Sequence, residues 1–177
     1  MEQGQSDITE EKARGFTSVF EQQAIVVSRF HHAKYVHIDL HAGSGFNEKV
    51  KVIGSPLLFT NIARMHRLDY LMFCAELDKK RAKALGQRLA NDARSFVTTG
   101  YNAELCDAMP DLLRVHGIEP QYALGSVLLD PNGFAENEQI PWPALERLFR
   151  VCGRLDVIFN YPGTGYTRNR GHPLYVD

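Results

Sequence analysis

β-rich stretches alternating with helical ones through 177 residues predict an α/β protein with a mostly parallel sheet of about five strands, Rossmann-like and doubly wound with flanking helices. Three observations carry this expectation. Five short runs are rich in branched and aromatic residues, stretches of helical character separate them, and a glycine turn follows the first run directly.

The leading helix has a capping-box start in Asp7 and Glu10. Phe16, Val19, Phe20, Gln23, Val27 and Phe30 then recur at helical spacing up to the basic RFHHAK. The expected strands are YVHIDL (35–40), YLMFCAE (70–76), SFVTT (95–99), ALGSVLLD (123–130) and LDVIFN (155–160). Between them the spacing predicts helices from Ser55 to about His66, from Asp78 to about Asp92 and up to His116, and one that Pro143 opens at its first position. No repeat or Pro/Ser-rich linker interrupts the chain, so residues 1–177 read as a single domain with a leading helix over 1–33 and a tail over 161–177.

Composition narrows the class. With 44% hydrophobic and 23% charged residues, one core needs neither disulfides nor metal. Cys74, Cys106 and Cys152 lie far apart, without CxxC or zinc spacing, and read as buried thiols of a reducing cytoplasm. A net charge of −1 leaves any nucleic-acid contact to a local basic patch. The acidic, amphipathic start and the lack of an apolar run of about 18 residues predict a cytoplasmic protein without a membrane partner.

The first strand ends in Asp39-Leu40-His41-Ala42-Gly43-Ser44-Gly45, where ligands of open α/β sheets bind. No GK[ST] follows, which excludes a P-loop, and the third position of a dinucleotide fingerprint is Glu48. Glu76, an acid at the end of the second strand, suits both hydroxyls of a ribose. Residues 46–53, with Lys49-Val50-Lys51-Val52, delay the next helix, whereas a pyrophosphate needs a helix N-terminus immediately behind the glycines. S-adenosylmethionine has a ribose but no pyrophosphate, and Asp39 suits its cationic groups. The delay itself is expected to form a short hairpin or lid outside the core, its lysines facing solvent or an anionic substrate.

The stretches YVHIDLHAGSG, IGSPLLF, FCAELDKKR, SVLLDPNGF, IPWPALERL and DVIFNYPGTGYTR occur in family order, and over about residues 35 to 168 the chain resembles the three-Cys-motif partner proteins. That family is similar to class I S-adenosylmethionine-dependent methyltransferases. The resemblance implies a doubly wound sheet, a methyl-donor pocket at the glycine turn and a three-Cys-motif partner encoded elsewhere. The motif usually written DPFG reads Asp130-Pro131-Asn132-Gly133 here, and is also similar to the [DNS]PP[YF] of amino-methyltransferases. The second proline is missing, and the aromatic, Phe134, stands one place late. Asn102 stands where many relatives carry an acid near the adenine, and the sixth and seventh strands usual in class I enzymes are not expected within residues 161–177.

The expected cofactor-binding residues are Asp39, His41, Ala42, Gly43 and Gly45 at the methionine end, Glu76 and Leu77 at the ribose, and Asn102 and Ala103 at the adenine. Asp130, Pro131 and Asn132 are the expected catalytic residues, acting by direct displacement at the sulfonium methyl. Plainer roles stand beside these: the glycines as turn formers, Asp39 as the pin of that turn, Glu76 as a solvated helix start, and DPNG as a simple turn. His37, Asp39 and His41 share strand parity with His31 and His32 nearby, yet no separate cluster closes a metal site, and none is expected. Asn160-Tyr161-Pro162 either lines the substrate side or ends its strand. Arg168, Arg170 and His172, set among Tyr166 and Tyr175, can hold phosphates and stack bases or form a solvated tail.

These expectations converge on an S-adenosylmethionine-dependent methyltransferase or methyltransferase-like subunit with nucleic acid as a candidate substrate. The alternative is a non-catalytic interaction subunit of a phage- or mobile-element-related system; a nicotinamide enzyme is the third. The last strand is expected at a sheet edge, covered by the tail segment HPLYV or by another chain in a homodimer or complex.

Overall fold

A computed structural model describes residues 7–30, 34–131 and 140–160. After helix α1 (Asp7–Val27), strand β1 (Tyr35–Asp39) leads into a hairpin of β2 (Phe46–Asn47) and β3 (Val52–Ile53). Helix α2 (Ser55–Met65), β4 (Tyr70–Glu76), α3 (Lys79–Arg88), β5 (Ser95–Thr99) and α4 (Asn102–Val115) follow. A 3-10 turn (Pro120–Tyr122), β6 (Leu124–Leu129), α5 (Trp142–Val151) and β7 (Arg154–Phe159) complete the order.

The main sheet is five-stranded, ordered β5-β4-β1-β6-β7, with every neighbouring pair parallel. From β1 the chain winds outward through β4 to β5, then returns to place β6 on the other side of β1. The reversal creates a topological switch point between β1 and β6 at their carboxyl ends. In register, Asp39 faces Cys74 of β4 and Leu128 of β6.

Parallel strands carry helices on both faces, so both faces must be apolar. All seven residues of β4 are accordingly buried. On one face Phe16, Phe20, Ala24 and Val27 of α1, Leu58, Phe59 and Ile62 of α2 and Leu85 of α3 pack on Tyr35, Tyr70, Met72 and Leu128. On the other, Leu105, Met109 and Leu113 of α4 and Leu145 and Leu148 of α5 pack on Val36, Ile38, Phe73 and Val127. Phe59 centres the first face, stacked on His37 at 4.1 Å and edge-on to Phe20 and Tyr70 at 5.6 and 5.4 Å.

The five strands and their helices fall where the alternation predicted, with two corrections. Pro143 is the second residue of α5 rather than its first, since Trp142 begins the helix behind Pro141. Residues 46–53 do form a hairpin, but not one wholly outside the core: Ile53 at its base packs against the α1–α2 cluster. The amino end of the sheet is tied by Asp92, which accepts from Tyr70 Oη and Ser95 Oγ, each at 2.6 Å. No described helix is long and apolar enough to cross a membrane.

Candidate ligand site at the switch point

The turn after β1 is pinned from beneath. Asp39, fully buried, accepts the His41 backbone N–H at 3.0 Å on Oδ1 and the Ser55 hydroxyl at 2.6 Å on Oδ2. Burial pushes its pKa up to about 7; the bonds from Ser55 and His41 act in the opposite direction. Both oxygens are thus engaged by protein, so Asp39 shapes the turn and anchors the start of α2. The Ala42 N–H donates to Ala75 O at 3.1 Å, fastening the turn to β4.

The two glycines do different work. Gly43 has φ +62°, and among the described residues a Cβ there would meet nothing within 4 Å. Its left-handed backbone therefore faces open space, into which a ligand can approach. Gly45 has φ +78°, and a Cβ would lie 2.8 Å from Leu85 Cδ1 of α3. Packing as well as conformation demands glycine there. Its carbonyl accepts the Gly54 N–H at 2.8 Å, closing the hairpin base.

Glu76 lies at the carboxyl end of β4 and is only 6% exposed, so it is not solvated, although its contacts do serve the start of α3. Its Oε1 accepts the Asp78 N–H at 2.9 Å and pairs with Arg81 Nη2 at 2.9 Å. A buried carboxylate is tolerable only with such partners. Leu77 beside it is partly exposed. Ala42 is buried in the turn, and Ala103 packs against the α4–α5 cluster.

One imidazole, from the turn expected at the methionine end, joins a residue expected at the adenine to one expected to face the substrate. The Asp130 backbone N–H donates to His41 Nδ1 at 3.2 Å, and the Asn102 side-chain amide lies 3.0 Å from His41 Nε2. Because Nδ1 accepts, a neutral ring carries its hydrogen on Nε2; the Asn102 atom placed there is Nδ2, also a donor, so the bond requires the amide turned over to present its oxygen. Asn102, at the first turn of α4, therefore meets the β1 turn directly.

At the end of β6, the Asp130 carboxylate is enclosed. Its Oδ2 pairs with Lys12 Nζ of α1 at 2.5 Å, and its Oδ1 accepts from Asn160 Nδ2 at 2.8 Å. Asn160 thus lines this corner as well as ending its strand, and Pro131 beside it is buried. Asn132, Gly133 and Phe134 lie outside the described residues, as do His31, His32, Tyr161, Pro162 and the Tyr166–Tyr175 tail. Among the described residues no three His, Cys, Asp or Glu gather as metal ligands, and Cys74, Cys106 and Cys152 are free and buried. His37 spends Nδ1 on Ser126 Oγ at 2.9 Å, and burial holds its pKa down at about 3.

Lys12, Ser55, Arg81 and Arg88 were not anticipated as site residues. Arg81 had a signal, being the arginine of the ELDKKR helix start one turn beyond Glu76. Lys12 had none, because its partner is remote in the chain.

These features define a doubly wound α/β protein with a small-residue turn at its switch point. The sequence matches no protein-family model and no curated protein. Among solved structures it is similar to LPL1258 of Legionella pneumophila strain Philadelphia 1, described there under family model DUF519. Identity is 12% and the TM-score 0.62, covering 89% of this chain and 71% of that one. The likeness extends to the fold.

Proposed function

We propose that this chain binds S-adenosylmethionine across the carboxyl ends of β1 and β4 and acts as a methyltransferase or methyltransferase-like subunit. The observation that carries this reading is the pairing of open space over left-handed Gly43 with the buried Glu76 carboxylate on the adjacent strand. A ligand extending from one to the other would place its amino-acid end over the turn and its ribose hydroxyls at Glu76. The hairpin between the glycines and α2 removes the helix N-terminus that a pyrophosphate would use. Asp130 and Pro131 would then face the methyl acceptor, for which nucleic acid is the candidate class, and a three-Cys-motif protein the candidate partner.

A specific observation favours a second reading, a non-catalytic interaction subunit: the Lys12 ammonium occupies Asp130 Oδ2, where an acceptor group would have to dock. Calorimetric titration with S-adenosylhomocysteine and, separately, with NAD tests the cofactor assignment. Saturable binding of S-adenosylhomocysteine alone is expected; binding of NAD instead would move the chain to nicotinamide chemistry. Transfer of a labelled methyl group to nucleic acid then separates the enzyme from the interaction subunit.

A further inference from the structure

Helix α3 touches both proposed ligand-binding segments with one face. Arg81 and Arg88 are two helical turns apart, so they project from the same side, with Leu85 between them. Arg81 holds the Glu76 carboxylate, and Leu85 Cδ1 abuts Gly45. At the far end, Arg88 Nη1 donates to the Ser44 carbonyl at 2.9 Å and Nη2 to Glu48 Oε1 at 2.9 Å, with its guanidinium 5.8 Å from the Phe46 ring centroid.

The Glu48 pair is solvent-exposed and contributes little by itself, since exposed ion pairs are screened. The Ser44 contact differs in kind. It is a charge-assisted bond to the backbone carbonyl between the two left-handed glycines, a point of the turn that the bonds at Asp39, Ala42 and Gly45 do not hold. Five donors in a rigid fork allow one arginine to grip the turn and the hairpin together through separate nitrogens, whereas an ammonium must reach both from a single nitrogen.

We propose that Arg88 is a positioning residue for the methyl donor, fixing the Gly43-Ser44-Gly45 turn and the hairpin for the amino-acid end of the ligand. Arg81, on the same helix face, presets Glu76 for the ribose. This rests on the S-adenosylmethionine reading. It assigns each arginine to a different part of one ligand.

The test compares S-adenosylhomocysteine with adenosine, which lacks the amino-acid end, by calorimetry on wild-type protein, Arg88→Met, Arg88→Lys and Arg81→Met. Arg88→Met should weaken S-adenosylhomocysteine about tenfold while leaving adenosine within about twofold, in line with loss of one charge-assisted bond. Arg88→Lys should fall between, and Arg81→Met should weaken both ligands. Amide exchange in residues 44–48 of the ligand-free Arg88→Met protein should quicken, a readout independent of any ligand. Equal loss of both ligands, or no loss of either, would overturn the positioning role, as would unchanged exchange in that segment. If wild-type protein bound neither ligand, the S-adenosylmethionine reading itself would fail, whatever the exchange showed. Should Arg88→Met not fold, the ligand ratio in Arg88→Lys decides.

Discussion

Strands β4 and β7 lie in opposite halves of one sheet and are built to opposite specifications. Every residue of β4 is buried, whereas none of β7 is, and Val157 is 49% exposed. Beyond β4 come β5 and the α3 face that reaches the glycine turn; beyond β7 no further strand pairs among the described residues. The half proposed to bind cofactor ends in an edge strand of its own, β5, but its glycine turn is packed from within this chain by the α3 face. The half proposed to meet the acceptor ends in a strand whose outer polar groups need a cover. The contrast teaches that cofactor binding should be a property of this chain alone, while acceptor recognition should depend on what covers β7.

The largest expected effect tests the contrast through stability. Phe73→Ala in β4 should cost about 3–5 kcal/mol, since it leaves a cavity between Phe96 and His116, whereas Val157→Ala in β7 should stay within roughly 0.5 kcal/mol. Urea unfolding of both variants measures this. Comparable losses would mean that β7 is buried in the native assembly.

Next in size is a pH effect hidden in the β1 half. Asp39, with its pKa raised to about 7, keeps a proton that the unfolded chain has released, so its contribution to stability falls as pH rises from about 4 to about 7. His37, with its pKa lowered to about 3, lacks a proton that the unfolded chain holds, so its contribution rises from about pH 3 to about 6.5. Where the windows overlap the two slopes oppose each other. Asp39→Asn should expose the His37 slope, making stability climb with pH between about 4.5 and 6 by up to about 1.4 kcal/mol per pH unit. Unfolding free energies of wild type and variant at both pH values show it; parallel profiles would mean that Asp39 is ionised in the fold.

A smaller change in stability is expected from Val157→Lys, which places a charge on the open strand. If another chain covers β7, light scattering should find wild-type protein larger than its 20.0 kDa chain and the variant reduced toward that mass. If the tail covers it, deletion of residues 171–177 should cause aggregation. A monomer indifferent to both changes would show that the edge is managed otherwise.

The fold was legible because its signals are local. Strand-length apolar runs and intervening helical periodicity survive in YLMFCAE and in the charged α3 segment without knowledge of partners. The glycine turn and the acids ending their strands were legible for the same reason. Pairings remote in the chain were not: nothing near Lys12 names Asp130, and nothing near Arg88 names the Ser44 carbonyl. The hairpin was legible as a delay, but Ile53's place in the core depends on α1, which approaches from far earlier in the chain. Asp39 takes the plainer role that its position also suggested, its carboxylate serving the turn through Ser55 and the His41 N–H.

The central claim, that the β1–β4 half is a seat for the methyl donor, is tested most directly by the dissociation constant of S-adenosylhomocysteine for wild-type protein and Glu76→Ala. Loss of hydrogen bonds to a buried carboxylate predicts weakening by about 1.5–3 kcal/mol, roughly tenfold or more, with the thermal transition of the variant recorded alongside to confirm that it is folded. A folded variant that bound S-adenosylhomocysteine as tightly as wild type would remove Glu76 from the site and contradict the assignment.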